Sequence, residues 1–346
     1  MPHGFGTRSE TTSAPPLPGP EGPLSRMVLE TIAEPAGAGK PAAAAADVRA
    51  LERRIADPLA DHDLQLSLSL CYELHYTSFR HVDAAWEWDP GLLAFRSELE
   101  RLFMSSLRRE AGEPAGDVPP EEIGGRLLLM KPDRSVGRMN EHLSREADMS
   151  QVLEFLIHRS PVRLRRPDTY GWTIARLRGA PRRTLARLFE VTVPARTLYS
   201  RSMRALGLDD RDGAYLDLLP GSTLAEMNLL SYFGLHRRAR GAMLGQIAML
   251  EILQPPEERA CERALRRLGA DDESRIGFAA AKSETDEPAP APSLEMAEDM
   301  ARSNPDLGRD IILGAKAVLA VQGRLLRRVL DRWRRGASSL LPEQRP

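Results

Sequence analysis

Apolar residues along this chain recur at intervals of three and four, and nowhere convincingly at intervals of two. That spacing puts them on one face of a 3.6-residue helix. Neither a strand pair nor an internal repeat of 20–50 residues competes with it. The expected class is all-α: one bundle of about eight or nine helices joined by mostly short loops.

Helical spacing is missing from the first part of the chain. Residues 11–46 are dominated by Pro, Ala, Gly and Ser, a composition that buries too little apolar surface to offset the entropy of ordering. The expectation is a disordered tail over 1–46 and a single helical domain over 47–340. Basic and acidic residues nearly cancel, 48 against 49, so no net field points to nucleic acid or a membrane. No apolar run approaches the roughly 18 residues of a membrane span, and the polar N-terminus has no signal-peptide layout. Cys71 and Cys261 lack metal-ligand spacing and fit a reducing compartment. The default location is the cytoplasm.

Within the domain, a first helical region over 47–76 is interrupted at Pro58. Asp89-Pro90 opens the next helix, as N-cap and first-turn proline. Helices over about 136–146 and from Met149 follow. The basic stretch 160–183 is broken by Pro161, Pro167 and Pro181, and a joint falls at Thr192–Pro194. A following helix ends at Gly207. The longest pattern, from Pro220 to Pro255-Pro256, contains Gly234, Gly241 and Gly245. Three helical glycines cost about 1 kcal/mol each, so they mark close helix contacts or a bend. A short helix over 257–268, a solvated loop over 279–293 and a last helix over 306–334 complete the pass.

Four strings, LCYELHYTSF (70–79), WEWDPGLLAFRSELE (86–100), EFLIHRS (154–160) and GAYLDLLPGSTLAEMNLLSYFGLHRRARGAMLGQIAMLEI (213–252), occur in that order. Together they resemble actinobacterial members of the iron-containing redox enzymes. That resemblance implies a heme-oxygenase-like fold and, in active relatives, a non-heme di-iron centre that binds O2 and oxidises a small substrate. Carboxylates and imidazoles from facing helices would hold the irons.

The resemblance also says where ligands belong. The first glutamate falls in RRPDT (165–169), with Arg166 in its place. The second string opens near 190–195, where only Glu190 survives as a displaced carboxylate. The third falls on AKSETDEP (281–288), with Ala281, Thr285 and Pro288 at the ligand places. No histidine follows His236, although two imidazoles would come from the C-terminal third. No metal ligand is therefore assigned, catalytic and cofactor-binding residues stay unassigned, and non-heme iron is the cofactor only if the chain is active.

Among the other candidates, Glu154 and His158 stand at i, i+4, which reads first as a hydrogen-bonding pair. His236 reads as a helix-face histidine, Glu251 as an ion-pairing residue, and Asn228 with Tyr232 as core residues with satisfied hydrogen bonds. Glu73 and His75, two apart, do not align on a helix. The arginine runs at 163–187 and 324–335 read as solvated helix faces. Two readings stay open. One is an iron-dependent oxidase with a site rearranged from Glu154, His158, Glu190 or Glu251. The other is a non-catalytic relative keeping the scaffold for a protein or small-molecule partner, with a homodimer as one option.

Overall fold

The computed structural model describes residues 15–36, 45–76, 78–112, 118–278 and 292–342. Among them are thirteen α-helices and no strand: α1 (Pro23–Ile32), α2 (Ala45–Leu51), α3 (His62–Glu73), α4 (Pro90–Ala111), α5 (Ile123–Leu129), α6 (Arg134–Arg145), α7 (Met149–Arg176), α8 (Gly179–Ala205), α9 (Gly221–Leu235), α10 (Arg240–Arg267), α11 (Asp272–Arg275), α12 (Pro292–Ser303) and α13 (Leu307–Arg334). The all-α class holds, with more helices than the expected eight or nine. Contacts group them into two compact units. One is drawn mainly from Ala111–Asp210 and Leu229–Ser339, the other mainly from Ser9–Glu110 and Arg211–Asn228. No helix among the described residues is long and apolar enough to cross a membrane.

In the smaller unit, the expected tail is ordered over 15–36. The prolines, alanines and glycines are concentrated on either side of PLSRMVLETI, whose Leu24, Val28, Leu29 and Ile32 make one buried stripe. That stripe gives α1 a face to bury against α3. Asp63 caps the new helix, accepting hydrogen bonds from the backbone N–H of Leu24 and Ser25 at 2.8 Å and from Ser25 Oγ at 2.6 Å. As expected, the chain is broken around Pro58, and Asp89 caps α4, accepting from Leu92 N at 2.8 Å.

The larger unit is organised by α10 and α13, which lie side by side. A Cβ added at Gly245 would sit 1.8 Å from the Ile311 carbonyl oxygen, and one at Gly314 would sit 1.9 Å from that of Ala242. Gly241 meets Leu307 and Asp310 while Gly245 meets Ile311 and Ala315, so the two helices run in the same direction. The glycines of the long pattern thus serve close contact, and Gly234 leaves room for the side-chain methyl of Thr169 on α7. The bend expected of that pattern falls elsewhere, at His236–Ala239 between α9 and α10.

Four prolines expected to end helices lie inside them: Pro161 and Pro167 in α7, and Pro255 and Pro256 in α10. Pro194 likewise sits within α8. A helical proline frees the carbonyl four residues back. For Pro161 that carbonyl belongs to Ile157, and the Ser160 hydroxyl donates to it at 2.9 Å. Burial along both sides of α7 and α10 supplies the rest, and tertiary packing overrides local propensity.

Because Gly245 touches backbone, Gly245→Ala is expected to lower stability by about 2–4 kcal/mol, read as a fall in the denaturation midpoint. An unchanged midpoint would show that α10 and α13 do not approach this closely.

Candidate functional site

The candidate site is the interior strip between α7 and α10. Arg159, Arg163, Arg166 and Tyr170 stand at i, i+4, i+7 and i+11 on α7, on one face. Opposite them α10 presents Glu251, Gln254, Glu257 and Glu258. Glu257 Oε1 accepts from Arg159 Nε at 3.1 Å and from an Arg163 guanidinium nitrogen at 2.9 Å. The other Arg163 terminal nitrogen reaches Glu258 Oε1 at 2.9 Å. Arg166 donates to Gln254 Oε1, and Gln254 Nε2 donates to Glu258 at 2.5 Å. Arg163 also lies over the Tyr199 ring, 5.0 Å from its centre.

Arg159, Arg163, Arg166 and Glu257 are all buried. This corrects the expectation of a solvated face for the first arginine run. Only its later members, Arg178, Arg182, Arg183 and Arg187, are exposed. Burial alone would raise Glu257 above the usual carboxylate range, but Arg159 and Arg163 hold it below. Arg163, though buried, is held firmly protonated by Glu258 and Glu257. The lattice is ionic, and each carboxylate in it is already neutralised.

The pair Glu154 and His158 belongs to a different cluster. Glu154 Oε2 accepts from Trp333 Nε1 and Ser339 N at 2.8 Å and from Ser339 Oγ at 2.6 Å. Those hydrogen bonds hold its pKa below the usual value despite burial. His158 Nε2 is 3.0 Å from the same hydroxyl. Both residues anchor the segment after α13 onto α7. Burial pushes the His158 pKa down to about 3, against the opposing pull of Glu154, so the ring is neutral near pH 7.

The remaining candidates lie apart. Glu190 is exposed on α8. His236 is in the turn before α10 rather than on a helix face, its ring 4.5 Å from that of Tyr232. The Tyr232 hydroxyl accepts from Arg238 at 3.2 Å. In the smaller unit, Asn228 Nδ2 donates to the Gln65 carbonyl and to Gln65 Oε1 at 2.8 and 2.7 Å, and Asn228 Oδ1 accepts from Ser69 at 2.9 Å. Glu73 is buried, and His75 contacts Glu87 at 3.3 Å and also Arg96. Cys71 and Cys261 are both free and buried; burial pushes the Cys71 thiol up to about 12 and raises Cys261 further. Neither is a reactive thiolate. Ala281, Thr285 and Pro288, and most of the loop expected over 279–293, lie outside the described residues.

The described residues form an all-helical scaffold in which α10 and α13 pack closely and charged side chains of α7 and α10 turn inward. Residues 153–323 match the family model described as iron-containing redox enzyme. No curated protein matches the chain.

Iron is the group the family name implies. A carboxylate-rich iron site needs at least three oxygen or imidazole ligands around one point. Among the described residues no three His, Cys, Asp or Glu side chains gather in that way. The Glu257 and Glu258 carboxylates of α10 are bound to guanidinium, and the Arg166 cation occupies the position where the resemblance places a glutamate. The described residues do not fit iron.

His158 carries a pH prediction. Its folded pKa lies below the ordinary 6.5, so its contribution to stability is complete above pH 6.5 and is lost as pH falls toward 3. Between pH 6.5 and 5 the loss is about 2 kcal/mol. His158→Gln is expected to flatten the fall of the denaturation midpoint over that window. An equally steep fall in the variant would rule out a buried neutral imidazole.

Proposed function

We propose that this chain is a member of the family without a di-iron centre, a non-catalytic helical scaffold that binds a protein or small-molecule partner. The observation that carries this reading is the lattice of Arg159 and Arg163 with Glu257 and Glu258. Two cations already sit among the carboxylates of the interior, and a third, Arg166, stands where a ligand would be. A divalent ion would have to displace paired guanidinium groups and would then lie beside their charge, which Coulomb repulsion in a partly desolvated interior makes unfavourable. What the family fold retains without the metal is a rigid, well-buried helical frame, and fold alone does not carry chemistry.

The buried thiols Cys71 and Cys261 support a reducing compartment, so the cytoplasm is the proposed location. A second copy of the chain is the simplest protein partner. The alternative is an iron-dependent oxidase that uses a rearranged site.

Metal analysis of the full chain after expression with added iron separates the two. The scaffold reading predicts iron well below one per chain, and about two per chain, the content of a carboxylate-bridged bundle, would overturn it.

A further inference from the structure

The near balance of charge over the whole chain hides a local excess of cations in the larger unit. No Asp or Glu occurs from 169 to 189 or from 227 to 250, while the two segments carry five and three arginines. They meet where α7 ends. Arg176 donates to the Gly234 carbonyl, and its guanidinium lies over the Trp172 ring, 5.0 Å from the centre. Arg178 follows Arg176 by two residues, and Arg237 and Arg238 follow Gly234 by three and four. The surface around this junction is therefore basic.

Arg178, Arg182, Arg183 and Arg187 at the start of α8 are exposed, as is Arg237 in the turn before α10, and none of the five forms an ion pair among the described residues. Arg238 donates to a neutral partner, the Tyr232 hydroxyl, at 3.2 Å. Neither α8 nor α10 places an acid in its first turn. Asp310 of α13, beside Gly241, and Glu190, exposed just beyond Arg187, offset part of this charge. The cations that remain unpaired raise the local potential and attract an anionic surface.

Charge alone does not separate a nucleic-acid backbone from a layer of lipid headgroups. The valines of α8 do. Val191 is 64% exposed and Val193 40%. Val191 stands eight residues after Arg183 and four after Arg187, on one stripe of the helix, and Val193 continues the flank of Arg182 at i+11. Apolar side chains beside arginines gain nothing from a sugar–phosphate backbone, whereas a bilayer interface buries them. Trp172, half-buried beneath Arg176, suits the same interface.

We propose that the face formed by the start of α8 and the turn before α10 docks on an anionic lipid bilayer. The arginines meet headgroup phosphates, and Val191 and Val193 enter the interface. The contact is peripheral, and no helix among the described residues is long and apolar enough to cross a membrane. It is independent of whether the larger unit holds iron.

The test measures cosedimentation of the full chain with vesicles of two parts phosphatidylcholine to one part phosphatidylglycerol, and with phosphatidylcholine alone. Binding is expected only to the anionic vesicles. It falls as ionic strength rises from about 0.01 to about 0.15 M and the Debye length shrinks from about 30 to about 8 Å. One arginine near such a surface strengthens binding about fivefold, so the triple variant Arg182→Gln, Arg183→Gln, Arg187→Gln is expected to bind on the order of a hundredfold more weakly. Its denaturation midpoint is expected to be unchanged or raised, because repelling charges are removed. Val191→Ser with Val193→Ser is expected to weaken binding about fivefold and to leave its salt dependence unchanged. Absence of binding to anionic vesicles, equal binding to phosphatidylcholine alone, or equal binding by either variant overturns the proposal. A single-stranded oligonucleotide that binds the chain more tightly than the vesicles do, and is lost in the triple variant, assigns the face to nucleic acid and also overturns it.

Discussion

The larger unit depends on one buried interaction, the contact of Arg159 and Arg163 with Glu257 and Glu258. Four charges are withdrawn from water there, at a cost of several kcal/mol for each ion. Only close, mutually satisfied geometry offsets it, and the observed separations of 2.9–3.1 Å provide it. The consequence is strict. α7 and α10 must keep their register, because a shift of one residue would strand a charge. α13 then follows, since Gly245 and Gly314 let it reach α10 only where backbone meets glycine.

Much of this was legible in the sequence, where the signal was local. Apolar spacing marked α13 and the N-terminal end of α7 closely, and Asp89-Pro90 marked the start of α4 through capping chemistry. Gly207, in the left-handed region at φ 76°, ended α8 as a glycine past a helix end should. The glycines of the long pattern announced close contacts correctly.

Other features were hidden for physical reasons. Pro255 and Pro256 read as a stop, so Glu257 and Glu258 were assigned to a separate helix and never set opposite the arginines of α7. Pro161 and Pro167 had the same effect on Arg163 and Arg166, which looked like members of a solvated run. The Ser160 hydroxyl that compensates Pro161 is visible in the sequence only as Ser-Pro, ordinarily a turn signal. In the tail, ten residues with a buried stripe were outweighed by the prolines and alanines around them. The Glu154–His158 pair was readable as i, i+4 neighbours, but its real partners, Trp333 and Ser339, are about 180 residues away in the chain. Long-range pairing of that kind leaves no local trace.

The interior charge of the larger unit is thus shared between arginines of α7 and glutamates of α10. The most direct test is a double-mutant cycle on Arg163→Met and Glu257→Gln, with stability measured by denaturant titration. A buried lattice of this kind predicts a coupling energy of roughly 2 kcal/mol or more between the two sites, within the range for residues in one ion-pair network. Additive single effects would contradict it, and with it the claim that guanidinium groups hold together the interior in which the family's name places iron.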